Sequence, residues 1–230
     1  MIKLLLGGVG SGKSVSLARY VYSRQNPVWV NFPILAKNAR RLMLSHIIEK
    51  EVLGVRKNGE EVTKQKVNYS FWRENLGDSC DIVLDEAHNI LMSRMSMSKN
   101  NVLITQWLAQ IRKILGASEH NDIILSSQRL AGLDVIPREL CSEIIAVQKL
   151  TLKEMQETRV IKNGRAEIKM LPVVVIIQYH FMGDRCLDAY TAWKELGQKS
   201  FKYRSSFVAN PFFQLYDSYE LIDFGQEAYL

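Results

Sequence analysis

The run GGVGSGKS at residues 7–14 constrains the fold of this chain more than any other feature. It matches the pattern G-x-x-x-x-G-K-[ST] in full. The apolar residues 2–6 before it predict a buried strand, and residues 15–21 after it predict a helix. A glycine-rich turn between a strand and a helix directs backbone N–H groups and a helix N-terminus at phosphate oxygens. The sequence therefore predicts a phosphate-binding loop.

The residue types in the loop predict separate roles in binding ATP and Mg²⁺, the two cofactors that we expect. The Lys13 ammonium would reach the β- and γ-phosphates, and the Ser14 hydroxyl would be a ligand of Mg²⁺. The residues expected to contact the nucleotide are Gly7, Gly8, Val9, Gly10, Ser11, Gly12, Lys13, Ser14 and Val15.

Two adjacent carboxylates, Asp85 and Glu86, follow the apolar residues 82–84. Asp85 would hold Mg²⁺, directly or through water, and Glu86 would orient and deprotonate the attacking water. Adjacent positions suit this division because successive side chains of a strand point in different directions. The alternative is an acidic turn that caps a helix, which involves no chemistry. The phosphate-binding loop earlier in the chain favours the catalytic interpretation.

Residues 85–88 spell DEAH, the signature of one class of helicase. The chain lacks the length for two motor domains, and no Q-x-x-G-R motif follows. We therefore expect His88 to start a helix and not to catalyse.

Gln128 follows shortly after residues 122–126, whose apolar centre Ile123-Ile124-Leu125 predicts another strand. A polar residue at the end of the strand beside the acidic pair can touch the γ-phosphate and the attacking water. Gln128 is therefore the candidate sensor, and the alternative is a turn glutamine without a role.

An arginine from a neighbouring subunit can neutralise the charge of a phosphoryl-transfer transition state. Arg112, Arg129 and Arg138 lie near predicted strand ends, and Arg94 is a weaker candidate. We take Arg112 as the catalytic arginine, while a structural role at the surface stays open for each of them.

Strands alternate with helices up to residue 150, which predicts an α/β fold with a mainly parallel central sheet flanked by helices. Further predicted elements are a strand at 28–31, a helix within 36–54, a turn at 56–61, a helix or cap over the site around Phe71 and Trp72, an amphipathic helix at 102–115 and a strand at 142–147. Beyond residue 150, Asn163-Gly164 predicts a β-hairpin with strands at 158–161 and 166–170, followed by a strand at 173–180. We therefore predict an ATPase core at 1–150 and, at 151–230, an antiparallel β extension with an aromatic tail packed on the core.

Composition narrows the class of partner and the compartment. Thirty lysines and arginines against 24 acidic residues give a net charge of +6, which suits a polyanionic partner. The three cysteines are far apart and show no metal-ligand spacing, so a reducing compartment is expected. The longest apolar run, residues 171–177, is shorter than the roughly 20 residues of a membrane-spanning helix. We expect a soluble, cytoplasmic protein without a transmembrane segment.

Over residues 1–150 the chain resembles the FtsK–HerA superfamily of DNA-pumping ATPases. The resemblance rests on the phosphate loop, on residues 82–86, and on ILSSQR at 124–129 followed by DVI at 134–136. Val30-Asn31 and HNDII at 120–124 are closest to the Zot-like branch, which includes filamentous-phage assembly ATPases. Small packaging ATPases of membrane-containing icosahedral viruses share this core.

The resemblance implies a RecA-like P-loop fold, a ring that is usually hexameric, and ATP-driven movement of double-stranded DNA through its channel. It assigns phosphate and Mg²⁺ binding to Lys13 and Ser14, the acidic roles to Asp85 and Glu86, and the sensor to Gln128. The chain has neither the membrane span of phage assembly ATPases nor a separate DNA-tracking domain. These departures favour a minimal viral genome-packaging motor in the host cytoplasm or associated with the virion, with a capsid or membrane-vertex protein as a further partner.

Three other functions are weighed against packaging. A Zot-like ATPase could drive assembly or extrusion of a filamentous particle by acting on protein partners. A small-molecule kinase is disfavoured, because no arginine-rich lid region follows the fourth strand and Glu86 suits hydrolysis better than transfer. A GTPase is disfavoured because no Asn-Lys-x-Asp motif occurs. For a DNA motor, Lys57, Lys64 and Lys66, or Lys99, are candidates for contacts with the phosphate backbone.

Overall fold

The computed structural model of the chain describes residues 1–75, 79–91, 98–115 and 121–217. The strands are β1 (Ile2–Leu6), β2 (Val28–Val30), β3 (Ala39–Arg41), β4 (Ile48–Val55), β5 (Glu61–Val67), β6 (Asp81–Leu84), β7 (Ile123–Ser127), β8 (Glu143–Lys162), β9 (Arg165–Met182) and β10 (Tyr203–Val208). The helices are α1 (Lys13–Ser23), α2 (Leu44–Ile47), α3 (Tyr69–Asn75), α4 (Lys99–Leu115), α5 (Val135–Glu139) and α6 (Cys186–Leu196).

Eight of these strands form one sheet in the order β10-β9-β8-β1-β7-β6-β2-β3. The six strands from β8 to β3 are parallel, while β9 and β10 are antiparallel to their neighbours. This arrangement confirms the predicted α/β fold with a mainly parallel sheet and an antiparallel β extension. Because β1, β6 and β7 are parallel and adjacent in space, the residues that follow each of them meet at one edge of the sheet.

Each face of the sheet has its own apolar core. One core surrounds Trp72 and Trp107, which are fully buried with ring centroids 5.6 Å apart. The other core packs Val15, Leu17 and Val21 of α1 against the opposite face. Burial of the apolar side of α4 confirms the amphipathic helix expected at residues 102–115. The two cores hold the strand ends in fixed register beneath the phosphate loop.

The helix expected within residues 36–54 is wrong. Residues 39–41 form β3 beside β2, the helix is limited to Leu44–Ile47, and β4 pairs with β5 as a separate two-stranded sheet. The Asn58-Gly59 turn, where Gly59 has φ +85°, joins β4 to β5 and confirms the turn predicted there. Cross-strand pairing thus overrides the helical composition of this segment.

Of the two alternatives for Phe71 and Trp72, the helix is confirmed and the cap over the site is wrong. Both lie on α3, where the Trp72 ring contacts Trp29 and Trp107 in the core on one face of the sheet. The aromatic rings gain more from burial against each other than from covering a solvated pocket. Neither side chain lines the cavity described below.

The predicted hairpin at Asn163-Gly164 is confirmed, with φ +50° and +72° at the two turn residues. Its strands are longer than predicted. The strands expected at 142–147 and 158–161 are one strand, β8, and those expected at 166–170 and 173–180 are one strand, β9. β8 passes through residue 150 without interruption, and the division of the chain there stays a prediction. None of the helices in the described ranges is long and apolar enough to span a membrane.

Candidate active site

The loop between β1 and α1 needs glycine at particular positions. Gly10 and Gly12 have φ +71° and +98°, which other residues rarely adopt. A Cβ on Gly12 would collide with the Ile176 side chain of β9, and a Cβ on Gly7 would lie 2.9 Å from the carbonyl oxygen of Val147. The long antiparallel ribbon therefore sits directly against the loop, a contact that the motif alone does not predict.

Replacing Gly12 by alanine tests this contact. We expect Gly12→Ala to lower the free energy of unfolding by about 2 kcal/mol, because the left-handed φ is strained and the new methyl group meets Ile176. Gly59→Ala is the matched control, since its φ is +85° but the space around it is open. Urea unfolding of both variants measures the difference. Equal losses would mean that contact with β9 adds nothing.

Lys13 lies across the loop that precedes it. Its side chain is 6% exposed, and Nζ donates hydrogen bonds to the carbonyl oxygens of Gly7 at 3.0 Å and Gly8 at 3.3 Å. The Glu86 carboxylate is 4.0 Å away. A largely buried ammonium needs anionic or carbonyl partners, and a phosphate chain in the cavity would supply further ones.

Asp85 is held by hydroxyl groups from two directions. Ser14 Oγ donates to Asp85 Oδ2 at 3.0 Å, and Ser126 Oγ of β7 donates to Oδ1. The backbone N–H of Glu86 lies 3.0 Å from both Oδ1 of Asp85 and Oγ of Ser126. The end of β6, the end of β7 and the first turn of α1 thus meet at one carboxylate.

The donor set around Asp85 fits Mg²⁺. The Ser14 hydroxyl and the Asp85 carboxylate are hard oxygen ligands, of the kind that Mg²⁺ uses with phosphate oxygens and water. The described residues contain no cluster of three or more His, Cys, Asp or Glu side chains that would instead form an all-protein metal cage. When bound here, Mg²⁺ would supply positive charge to the phosphate groups.

Asn31 holds the backbone of Asp85, a role that the sequence did not predict. The Asn31 side chain is 2% exposed; Nδ2 donates to the Asp85 carbonyl at 2.9 Å, and Oδ1 accepts from the Asp85 N–H at 2.7 Å. The side-chain amide of Asn31 thereby makes, just beyond the end of β2, the two hydrogen bonds to the residue after β6 that a backbone peptide group would otherwise make. The available signals were an asparagine at the end of the strand predicted at 28–31 and the Val30-Asn31 pair in the resemblance to the Zot-like branch.

Glu86 has a backbone conformation that separates its side chain from that of Asp85. Its φ of +49° is left-handed, which costs a non-glycine residue about 1 kcal/mol or more. The carboxylate lies 3.2 Å from His88 Nδ1 and accepts from Gln128 Nε2 at 3.4 Å. Only a 3-10 helix, Ala87–Asn89, follows, and the Glu86 side chain makes no capping hydrogen bond to it. The helix-cap alternative therefore has no support from Glu86.

His88 and Gln128 flank the Glu86 carboxylate from different elements. His88 lies in the 3-10 helix, as a helix-start residue was expected to, and its Nδ1 is also 3.5 Å from Ser127 Oγ. Gln128 is exposed at the end of β7. The proximity of Gln128 to Glu86 was expected, whereas the contact of His88 with Glu86 was not.

The candidate arginines are placed unequally by the structure. Residue 112 belongs to α4, its side chain lies outside the described part, and Arg94 lies outside the described residues altogether. Arg129 is exposed next to Gln128, and Arg138 donates from Nε to the Asp134 carbonyl at 3.2 Å. Among the described residues, no arginine lines the cavity at the phosphate loop. The catalytic arginine therefore stays a prediction.

A cavity of about 430 Å³ joins these groups. Lys13, Ser14, Asp85, Glu86 and Gln128 line its base. Val9, Gly10, Gly12 and Val15, which were expected to contact the nucleotide, also line it. The remaining lining residues had no predicted role, namely Phe32, Pro33, Lys149, Val174, Ile176, Phe213, Tyr216 and Asp217. This volume is within the range of about 300–1,000 Å³ of small-molecule sites.

Comparison with solved structures finds three informative neighbours. The N-terminal domain of zonular occludens toxin from Neisseria meningitidis covers 94% of this chain and 98% of its own, at 15% identity and a TM-score of 0.48. The genome packaging NTPase B204 from Sulfolobus turreted icosahedral virus 2, with ATP-gammaS, covers 66% of this chain and 76% of its own, at 18% identity and a TM-score of 0.39. B204 from Sulfolobus turreted icosahedral virus, described as a DNA-packaging ATPase, has the same coverage and identity and a TM-score of 0.38. No model of a protein family and no curated protein matches the chain.

Proposed function

We propose that this protein is a Mg²⁺-dependent ATPase that translocates double-stranded DNA as a ring of identical copies, in the manner of a viral genome-packaging motor. One observation carries the ATPase assignment: Lys13, the Ser14–Asp85 pair, Glu86 and Gln128 converge on a single nucleotide-sized cavity. Glu86 points in a different direction from Asp85 and lies beside the phosphate-binding loop. This arrangement suits hydrolysis of ATP better than transfer of its γ-phosphate to a bulky acceptor.

The chemistry divides among the side chains of the cavity. Backbone N–H groups of residues 8–14 and the Lys13 ammonium bind the phosphate chain, which competes with the Gly7 carbonyl for Nζ. Glu86 accepts a proton from water as the water oxygen bonds to the γ-phosphorus. The bond from the γ-phosphorus to the bridging oxygen breaks, and ADP leaves with that oxygen. Gln128 orients the water from the opposite side. Arg112 or another arginine of a neighbouring copy would add positive charge at the transferring group.

The charge pattern next to the cavity supports a nucleic-acid partner. Between residues 149 and 169 the β8–β9 ribbon carries six lysines and arginines against three glutamates, and Lys149 at its base lines the cavity. Of the basic residues first considered, Lys66 is paired with Glu49 at 3.6 Å and Glu51 at 3.2 Å. Within the ribbon, Lys169 is likewise paired with Glu167 at 2.6 Å. We take the ribbon as the better candidate for contacts with a phosphate backbone because its excess of basic residues adjoins the cavity.

The rate of ATP hydrolysis with and without double-stranded DNA tests this function. We expect stimulation at 50 mM salt that falls steeply by 200 mM, because backbone contacts release counterions. Lys153→Glu with Lys169→Glu should abolish the stimulation, while Lys199→Glu with Lys202→Glu, outside the ribbon, should retain it. Absence of both stimulation and DNA binding at low salt would refute translocation, and a single-copy mass in solution with ATP would refute the ring.

A function in particle assembly is the second candidate, and one observation favours it. Met155, Ile168 and Met170 of the ribbon are 56%, 74% and 56% exposed. Apolar side chains on an exposed ribbon suit a protein partner better than a phosphate backbone. ATPase activity that ignores DNA at every salt concentration would favour this alternative.

A further inference from the structure

The segment at residues 210–217 crosses the phosphate-loop side of the molecule after β10. It is anchored at its beginning by Asn210, whose side chain is 2% exposed. Asn210 Nδ2 donates to Thr158 Oγ1 at 2.9 Å and to the Pro172 carbonyl at 3.1 Å, and Oδ1 accepts from the Val174 N–H at 2.8 Å. One buried amide therefore fixes the start of the segment to both strands of the β8–β9 ribbon.

Two further hydrogen bonds fix the segment on either side of Tyr216. The Leu215 carbonyl accepts from the Leu35 N–H at 2.6 Å, so the segment is tied to the chain that follows β2. The Asp217 carboxylate accepts from the Gly164 N–H at 3.3 Å, so it is also tied to the turn of the ribbon. Tyr216 is thus held between two anchored neighbours.

The position of Tyr216 in the cavity leaves its hydroxyl available. Its side chain lines the same cavity as Lys13, Ser14 and Asp85. A tyrosine hydroxyl is protonated at neutral pH, so it can donate a hydrogen bond to an acceptor in the cavity. Within the described ranges the hydroxyl makes no hydrogen bond to protein. A phenol beside a phosphate-binding loop can therefore donate to a phosphate group bound there.

We propose that the Tyr216 hydroxyl donates a hydrogen bond to the β- or γ-phosphate of the bound nucleotide. The inference rests on the proposed ATPase function. It adds that residues 210–217 form the outer wall of the nucleotide site. It also adds that Tyr216, which is remote in sequence from the loop and from both acidic residues, distinguishes a nucleoside triphosphate from a monophosphate. A wall that only packs on the apolar core would need the ring of Tyr216 but not its hydroxyl.

Tyr216→Phe removes the hydroxyl and keeps the ring. We expect the dissociation constant for ATP-gammaS, measured with Mg²⁺ by calorimetry, to rise about tenfold, as for loss of one hydrogen bond to a charged group. The dissociation constant for AMP should change less than about twofold, since AMP lacks the phosphates concerned. Tyr22→Phe is the matched control, because Tyr22 is 63% exposed, contacts the same segment through Phe212 and lies outside the cavity.

The outcomes separate this inference from the function on which it rests. The hydroxyl contact is refuted, while the ATPase proposal stands, if Tyr216→Phe binds ATP-gammaS as tightly as Tyr22→Phe does. It is also refuted if Tyr216→Phe weakens the binding of AMP as much as the binding of ATP-gammaS. If the unaltered protein binds no ATP-gammaS, the proposed function fails and this inference fails with it. Thermal unfolding of the two variants should coincide, and a lower midpoint for Tyr216→Phe would point to a packing role instead.

Discussion

Glu86→Gln is expected to reduce the turnover of ATP by about 10²- to 10⁴-fold while nucleotide binding is retained, because the change removes a general base without altering shape. The amide can still contact His88 and Gln128, whose nitrogens lie 3.2 and 3.4 Å from the carboxylate. Steady-state hydrolysis and the dissociation constant for ATP measure the two effects separately.

The control for this variant is Glu139→Gln. Glu139 is an exposed glutamate at the end of α5, so the Glu139→Gln protein should hydrolyse ATP at the unaltered rate. Normal turnover by Glu86→Gln would show that water is activated elsewhere. His88, whose Nδ1 lies 3.2 Å from the Glu86 carboxylate, would then be the next residue to replace.

Asn31→Ala is expected to lower the free energy of unfolding by about 2–4 kcal/mol and to abolish most ATPase activity of the folded protein. The change leaves a buried N–H and a buried carbonyl of Asp85 unpaired, at about 1–3 kcal/mol each. Asp85 also loses the contact that aligns it with Ser14. Urea unfolding measures the first effect, and hydrolysis below the unfolding transition measures the second.

Asn38→Ala provides the comparison for Asn31→Ala. Asn38 Nδ2 also donates to backbone carbonyls, those of Val21 and Arg24, at 2.9 and 3.0 Å, but it does not line the cavity. The Asn38→Ala protein should have a lower free energy of unfolding but the same rate of ATP hydrolysis per folded molecule. Equal activity in the two folded variants would contradict a positioning role for Asn31.

The parts of the site that were predictable are those whose conformation is local. The loop at residues 7–14 requires left-handed glycines between a strand and a helix, a requirement that adjacent residues express directly. Asp85, Glu86 and Gln128 each follow a short apolar strand, and parallel strands bring such ends to one edge. The prediction for residues 36–54 was wrong because their structure is not local. Local composition suggested a helix, but pairing with β2 and β5 makes β3 and β4 strands.

By itself, the sequence determined a phosphate-binding α/β fold and the residues that meet the phosphates, because glycine torsions and strand ends are set within a few residues. Only the tertiary structure decided what holds and encloses them. Asn31 reaches Asp85 across 54 residues, Ile176 packs against Gly12, and Tyr216 lines the same cavity as Asp85. These contacts depend on strand order and on the course of the chain after β10, which no local pattern of residues encodes.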